Sequence, residues 1–464
     1  MKTGRLILLA LVVVGLGAYI GLVERHEPTT DQLKEREGKL FAGLDQAKVR
    51  KVVVTNPHGH FELVKDKDAW SLKAPLADQA NQGAVSSLLF SLTGLKAERT
   101  FAAKDVKLAE YGLDKPPLAV TVEDDAGKSY TLKLGTELPL GNLRAAETGD
   151  GNVYLVSKYV ASDLDKDLAA WRSDELAQIY SPDVASVTAA GPDGQLTLAH
   201  AGSLWTITAP VPDLADRDRA EGLITDISGA RIKEFVDNAP DLKALGLEPS
   251  RWSVTIVKRD AKAAPLTLQF GDERDAKDGK QVACMRGDRV FWVEAKTVSH
   301  LGGPWQAWRS KTLLGFDSWG VDKIEVASGA ATASLERTNG AWKAGATEVD
   351  GDAVSRRLTA LGGLEVKSFD LAKPSGTPLG HVKLSGGGFS DDATFYPGAS
   401  PGEDVAIVAG RTGGLGVDAA KVAAVLADPA ALAKPKPTPK PAAAPAKVPP
   451  KAKPAAAAAP AAKK

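Results

Sequence analysis

At 464 residues the chain is too long for one ordinary core, and its length matches about three domains. Hydrophobic residues make up 44% and charged residues 25%, the balance of a globular protein rather than a disordered one. The formal net charge of +0 hides an asymmetry, since residues 434–464 hold eight Lys and no acid, leaving 50 basic against 58 acidic side chains elsewhere; a mildly acidic body argues against a nucleic-acid-binding core, and no nucleic-acid partner is expected.

Lys2 and Arg5 precede Leu6–Val23, which has no charged residue in 18 positions. As a helix this run spans about 27 Å, close to the hydrocarbon thickness of a bilayer. Residues 1–23 are therefore expected to form a single-pass transmembrane anchor in the inner (cytoplasmic) membrane. The positive-inside bias puts the N-terminus in the cytoplasm and the bulk of the chain in the periplasmic or extracytoplasmic space. The competing reading is a cleaved signal peptide, for which Gly15-Leu16-Gly17 is a weak site; both readings export the remainder. Residues 24–44 are polar and read as a spacer.

The next feature is self-similarity. Ala69-Trp70-Ser71-Leu72-Lys73-Ala74-Pro75 returns as Leu204-Trp205-Thr206-Ile207-Thr208-Ala209-Pro210, and more weakly from Ala341-Trp342. Phe101, Phe235 and Phe369 keep a spacing of 134, and Tyr111-Gly112-Leu113 returns as Leu245-Gly246-Leu247. Tyr130–Gly135 returns as Leu266–Gly271, and Trp171-Arg172-Ser173 as Trp308-Arg309-Ser310. Three tandem modules follow, at 45–174, 175–312 and a shortened 313–433.

Within the first module, Val49–Thr55, Phe61–Lys65 and Trp70–Lys73 alternate like strands. Val85, Leu88, Leu89 and Leu92 then form a helical stripe that stops at Gly94, with equivalents at Ala220–Ser228 and Asp352–Leu361. Asp78, Asp216 and Asp350 precede these helices as expected N-caps. Ala119–Glu123, Tyr130–Leu134, Leu143–Glu147 and Val153–Ser157 read as meander strands, and Ser162–Ala169 as a closing helix. Each module is thus an α+β unit of antiparallel strands plus helices. From Lys434 the chain is Lys, Pro and Ala, with Pro at 435, 437, 439 and 441; it cannot bury a core and is expected to be disordered and partly polyproline II. Such a tail is either simply solvated or in electrostatic contact with anionic wall polymer or lipid headgroups.

Chemistry-bearing residues are sparse. Cys284 has no partner for an intramolecular disulfide, and its apolar surroundings read as a buried small hydrophobe rather than a reactive thiol. Of the six His, His58 and His60 with Asn56 are the best metal candidate, placed two apart on one strand face; the equivalent loop at Gly191–Gly194 lacks His, and an exposed turn is the expected reading. Gly-x-Ser-x-Gly, His-Glu-x-x-His and P-loop motifs are absent. Gly410–Gly416 reads as a turn, and Asp124-Asp125 and Asp391-Asp392 as hairpin acids. Trp70, Trp205 and Trp342 read as core plugs, against the alternative of a carbohydrate platform. No catalytic, metal or cofactor-binding residue is assigned, and no cofactor is expected.

The anchor, the Trp-x-Leu-x-x-Pro turn (Trp70–Pro75; in the second copy Trp205–Pro210, with Ile207 for Leu), the Asp-capped helix that follows and the Tyr-Gly-Leu corner (Tyr111–Leu113) resemble DUF family 4340. The resemblance covers residues 45–430 and implies an envelope protein associated with gliding-motility-type ABC exporter components. It supplies no catalytic residues. The expected function is accordingly a non-enzymatic, membrane-anchored scaffold or adaptor, accessory to an ABC-type exporter or gliding-motility-like complex. The competing readings are a module binding cell-wall polysaccharide or peptidoglycan and, third, an unrecognised hydrolase.

Overall fold

A computed structural model describes residues 38–435, apart from 140 and 238–240. It contains three similar nine-stranded antiparallel sheets with short helices, an α+β module repeated three times. The anchor run, residues 24–37 of the spacer and residues 436–464 of the tail lie outside the described residues. Among the described residues no helix is long and apolar enough to cross a membrane. The chain divides into two compact units, Met1–Ile179 with Thr225–Arg251 and Leu268–Ser299, and Tyr180–Ile224 with Trp252–Thr267 and His300–Lys464. The first contains module 1 and its junction with module 2; the other contains the junction between modules 2 and 3, and module 3 itself.

In module 1 the strands are β1 (Val49–Asn56), β2 (Gly59–Asp66), β3 (Ala69–Ala74), β4 (Asp78–Gln79), β5 (Arg99–Ala102), β6 (Leu118–Asp124), β7 (Ser129–Glu137), β8 (Leu143–Glu147) and β9 (Asn152–Ser157). Their order across the sheet is β4-β3-β2-β1-β6-β7-β8-β9-β5. Helix α1 (Gln82–Gly94) therefore connects one sheet edge to the other. It lies on one face because Val85, Leu88, Leu89 and Leu92 share a side at helical spacing, and all four are buried with Val52, Val54, Leu63, Leu72 and Val120. Each such side chain contributes about 1.5–3 kcal/mol on leaving water. Trp70, Trp205 and Trp342 are buried, as the core reading expects.

Several local expectations change. Asp78 is not an N-cap: pairing of β4 with β3 (Leu72 opposite Asp78) holds it in a strand, and Asn81 caps α1 by accepting from the Ala84 N–H at 3.1 Å. In the other copies Asp216 and Asp350 do cap, accepting from Arg219 N and Asp352 N at 3.0 Å each. The expected Ser162–Ala169 helix is two short ones, α2 (Val160–Leu164) and α3 (Leu168–Trp171), because Asp167 caps a fresh turn through the Ala170 N–H. Asp391 and Asp392 lie in the strand Phe389–Tyr396 rather than in a turn.

Phe101 is also displaced from its apparent equivalents. It pairs with Val153, and its neighbour Thr100 with Tyr154, whereas Phe235 pairs with Phe291. Since Tyr154 and Phe291 are matching positions, Thr100 stands in the place of Phe235. A one-residue step in a strand reverses the side-chain face.

The repeated Gly-Leu corner has a steric cause. Gly112 and Gly246 both adopt φ +64, and a Cβ on Gly135 or Gly271 would lie 2.0 Å from the carbonyl oxygen of Tyr111 or Leu245. Module 3 keeps all nine strands, and its shortening falls between Leu371 and Gly380, where the corner is missing. By strand register Tyr396 occupies the position of Gly135, so a large side chain is tolerated once the corner is gone.

Candidate functional site

The recurring Trp-Arg-Ser turn builds the most elaborate polar feature of the molecule. Helix α3 ends at Trp171 and the chain leaves it extended, with Arg172 bridged to Ala80, Asn81 N–H donating to Trp171 O (2.9 Å) and Ser173 N–H to Gln79 O (2.9 Å). This clips Arg172 to the edge strand β4. The chain then runs directly into module 2, where Leu176 N–H donates to Ala230 O (3.2 Å) and Ile232 N–H to Asp174 O (2.6 Å). Module 3 is entered identically, through Leu313 N–H to Leu364 O (3.0 Å) and Val366 N–H to Lys311 O (2.7 Å).

Arg172 is almost wholly buried (2% exposed), a position that a guanidinium occupies only when paired. Its Nε donates to Asp78 Oδ2 at 2.7 Å, and its Nη1 reaches both oxygens of Asp237 at 2.8 and 2.7 Å. Its carbon Cζ lies 3.7 Å from the ring centre of Phe235. Arg289, in a hairpin of module 2, pairs with the same Asp78 oxygen, Oδ2, and donates to Ala77 O. Module 1 therefore contributes an Asp and an Arg, and module 2 an Asp, an Arg and a Phe.

The second junction repeats the set. Arg309 Nε donates to Asp213 Oδ2 at 2.6 Å, its Nη1 to both oxygens of Asp370 at 2.8 Å, and its Nη2 to Thr412 O at 2.9 Å. Its Cζ lies 4.3 Å from the Phe369 ring centre. Arg411 donates from Nε to Asp213 Oδ1 at 2.6 Å and from Nη2 to Ser310 O at 2.8 Å. Burial pushes the Arg411 guanidinium down from its ordinary value, while Asp213 holds it up. The stretch Gly410–Gly416 is thus only partly a turn. Gly414 and Gly416 belong to the strand Gly414–Asp418, and Arg411 rides the hairpin into the junction.

Among the described residues, the outer sides of modules 1 and 3 carry other side chains at these positions. Pro435, bridged to Val349, occupies the position of Arg172 and Arg309, and Thr347 that of Asp78 and Asp213. On the opposite side of module 1, Thr100 and Asn152 stand where module 2 has Phe235 and Arg289.

A cleft of about 300 Å³ lies beside the first junction, lined by Asp68, Trp70, Gln82, Asp174, Glu175 and Gln178 among others. The corresponding cleft at the second junction measures about 150 Å³ and is lined by Leu204, Trp205, Leu214, Leu314 and Phe316 together with polar Arg217 and Asp317, among others. An adjoining groove of about 150 Å³ leads to Trp319.

The sequence candidates occupy separate settings. His58 sits in the β1–β2 turn and faces Asp165 at 3.4 Å, while His60 in β2 contacts Thr55 Oγ1 at 3.1 Å, so the two rings do not share a strand face. Asn56 is buried and clamps the hairpin, donating to Leu164 O and Lys166 O at 2.7 and 2.8 Å. His200 stacks on Trp205 with ring centres 4.2 Å apart, and His381 contacts Asp392 at 2.6 Å. Among the described residues no group of three or more His, Cys, Asp and Glu is arranged to hold a metal ion. Cys284 is fully buried, and burial pushes its thiol up from its ordinary value. Arg172 and Arg309 stand out in the sequence as landmarks of the Trp-Arg-Ser repeat and Asp78 as a helix cap, but nothing local shows that they meet, although Asp78/Asp213 and Arg172/Arg309 recur 135 and 137 apart.

A family model described as a domain of unknown function (DUF4340) matches residues 70–249 and, overlapping, 205–381. Each matched stretch starts at the core Trp of one module and ends inside the next, so each contains a complete Asp-Arg-Asp set. No curated protein matches the chain.

Proposed function

The chain belongs to the DUF4340 family, and from that premise we propose that it is a non-enzymatic scaffold or adaptor of the cell envelope. A single N-terminal anchor (residues 1–23) holds it in the inner membrane, with its modules outside the cytoplasm. The observation that supports this reading best is the duplicated junction. Its repeated design, a buried Arg between two Asp with a second Arg behind, places buried ion pairs between one module and the next. Such pairs contribute little net stability compared with apolar packing, but they define one docking geometry. Docking of consecutive modules within each compact unit suits the assembly of partners rather than turnover of a small molecule. The partner we propose is an ABC-type membrane complex.

Crosslinking of the full-length protein in its native membrane, followed by mass spectrometry of captured neighbours, tests this. Repeated capture of an ABC-type permease or its accessory subunit is the expected result. Capture of wall polymer alone, or of abundant bystanders only, counts against it.

A further inference from the structure

Trp319 is 77% exposed, in a short 3-10 turn, Ser318–Gly320. Its backbone is held, since Trp319 O accepts from Arg337 Nη2 at 2.6 Å and Arg337 also pairs with Asp322 at 2.9 Å. The ring borders a groove of about 150 Å³ between the Ala201–Leu204 turn of module 2 and module 3. Phe316 and Phe389 form its walls, and Gly202, Gly320 and Gly387 leave it open to close approach of another backbone. Asp317 lies at the rim, accepting from Ser203 Oγ at 2.5 Å. The groove shares Ser203, Leu204, Gly315, Phe316 and Asp317 with the cleft beside the second junction, so the two form one continuous track with Arg217 at its far part.

Such a shallow aromatic track suits a polyproline II segment, which has no internal hydrogen bonds and presents flat pyrrolidine rings to stack on aromatic faces. The chain carries a segment whose composition suits that conformation. Residues 434–464 hold eight Lys, no acid, and Pro at 435, 437, 439 and 441. The segment leaves module 3 itself, at Pro435 bridged to Val349. At about 3.1 Å per residue, the 29 positions after Pro435 reach about 90 Å, several times a module's radius. The charges also match, because the remainder of the chain has 50 basic and 58 acidic residues, and the rim offers Asp317.

We propose that the groove of Trp319, Phe316 and Phe389 is the docking site of the same chain's Lys/Pro tail, residues 436–464. Proline rings cover the indole, and the lysines face Asp317 and the acidic body. Docked in this way, the tail is withheld from anionic polymers until something displaces it. This inference does not depend on the scaffold reading.

The test uses full-length protein with p-benzoylphenylalanine in place of Trp319 or, as a control, in place of Tyr159, which is similarly exposed at 67%. After illumination, crosslinked peptides are mapped by mass spectrometry in a mixture of heavy- and light-labelled chains. The expected result is a crosslink from position 319 to residues 436–464 within a single chain. It should be lost when an excess of free peptide covering 434–464 is added, or when Pro437, Pro439 and Pro441 are changed to Ala. Crosslinks confined to the module bodies, mixed-label crosslinks, capture of polysaccharide, equal tail capture from position 159, or no crosslink at all would each overturn the proposal.

Discussion

The guanidinium of Arg172 lies 3.7 Å above the ring centre of Phe235, and the two residues belong to consecutive modules. The same relationship holds between Arg309 and Phe369 at 4.3 Å. A planar cation on an aromatic face, with carboxylates at its edge, is held through both its face and its N–H groups.

Arg172→Ala is expected to destabilise the protein by about 3–5 kcal/mol, because it removes a direct ion-pair partner of the buried Asp78, leaving Arg289 in contact with it. Asp237→Ala should cost about 1 kcal/mol or less, since that carboxylate is 42% exposed. Denaturant midpoints of the single and double variants measure both, and equal losses for the two would contradict the burial argument.

Phe101 and Phe235 should respond differently despite their matching spacing in the chain. Phe235→Ala removes the platform beneath Arg172 and an edge-on contact with Phe291, and is expected to cost about 1–3 kcal/mol. Phe101, exposed and one strand position out of phase, should tolerate Ala within about 0.5 kcal/mol. Thermal melts of the two variants decide it.

Gly135→Ala places a methyl 2.0 Å from a backbone oxygen and is expected to destabilise module 1 by about 1–3 kcal/mol or more, with hydrogen exchange accelerated at Tyr111–Leu113. Tyr396→Ala, at the equivalent site without a corner, should release no such strain. Comparable exchange at both sites would rule out the steric account.

Asp391 supplies a pH dependence. Burial pushes its carboxyl above the usual carboxylate range, against the opposing pull of the Gly315 N–H and of Arg411, and its Oδ2 is buried without a partner. The folded state therefore holds this proton to higher pH than the unfolded chain does. Stability from this group is greatest below the unfolded value and falls as pH rises through the folded one. Asp391→Asn should raise the denaturation midpoint at neutral pH, with the gain shrinking as pH drops into the ordinary carboxylate range. A gain that stays constant with pH would assign the effect elsewhere.

The repeat, its α+β character and its core Trp residues were legible in the chain because they rest on local periodicity. Alternation marks β1, the Val85–Leu92 stripe marks α1, and each signal is complete within a few residues. The Gly of Tyr130–Gly135 was visible as a landmark, but its reason was not, since the Tyr111 oxygen that excludes a side chain comes from a corner more than twenty residues away. Asp78 looked like a helix cap because a carboxylate a few residues before a helix has the same local signature whether it caps or pairs. Only the tertiary structure brings it to Arg172 and Arg289, which lie 94 and 211 positions further along. Strand register likewise set Phe101 apart from Phe235, a one-residue difference that spacing cannot reveal because a bulge can absorb it. Local sequence determined which elements form; the junctions were decided by contacts distant in the chain, whose energy depends on burial that no single segment possesses alone.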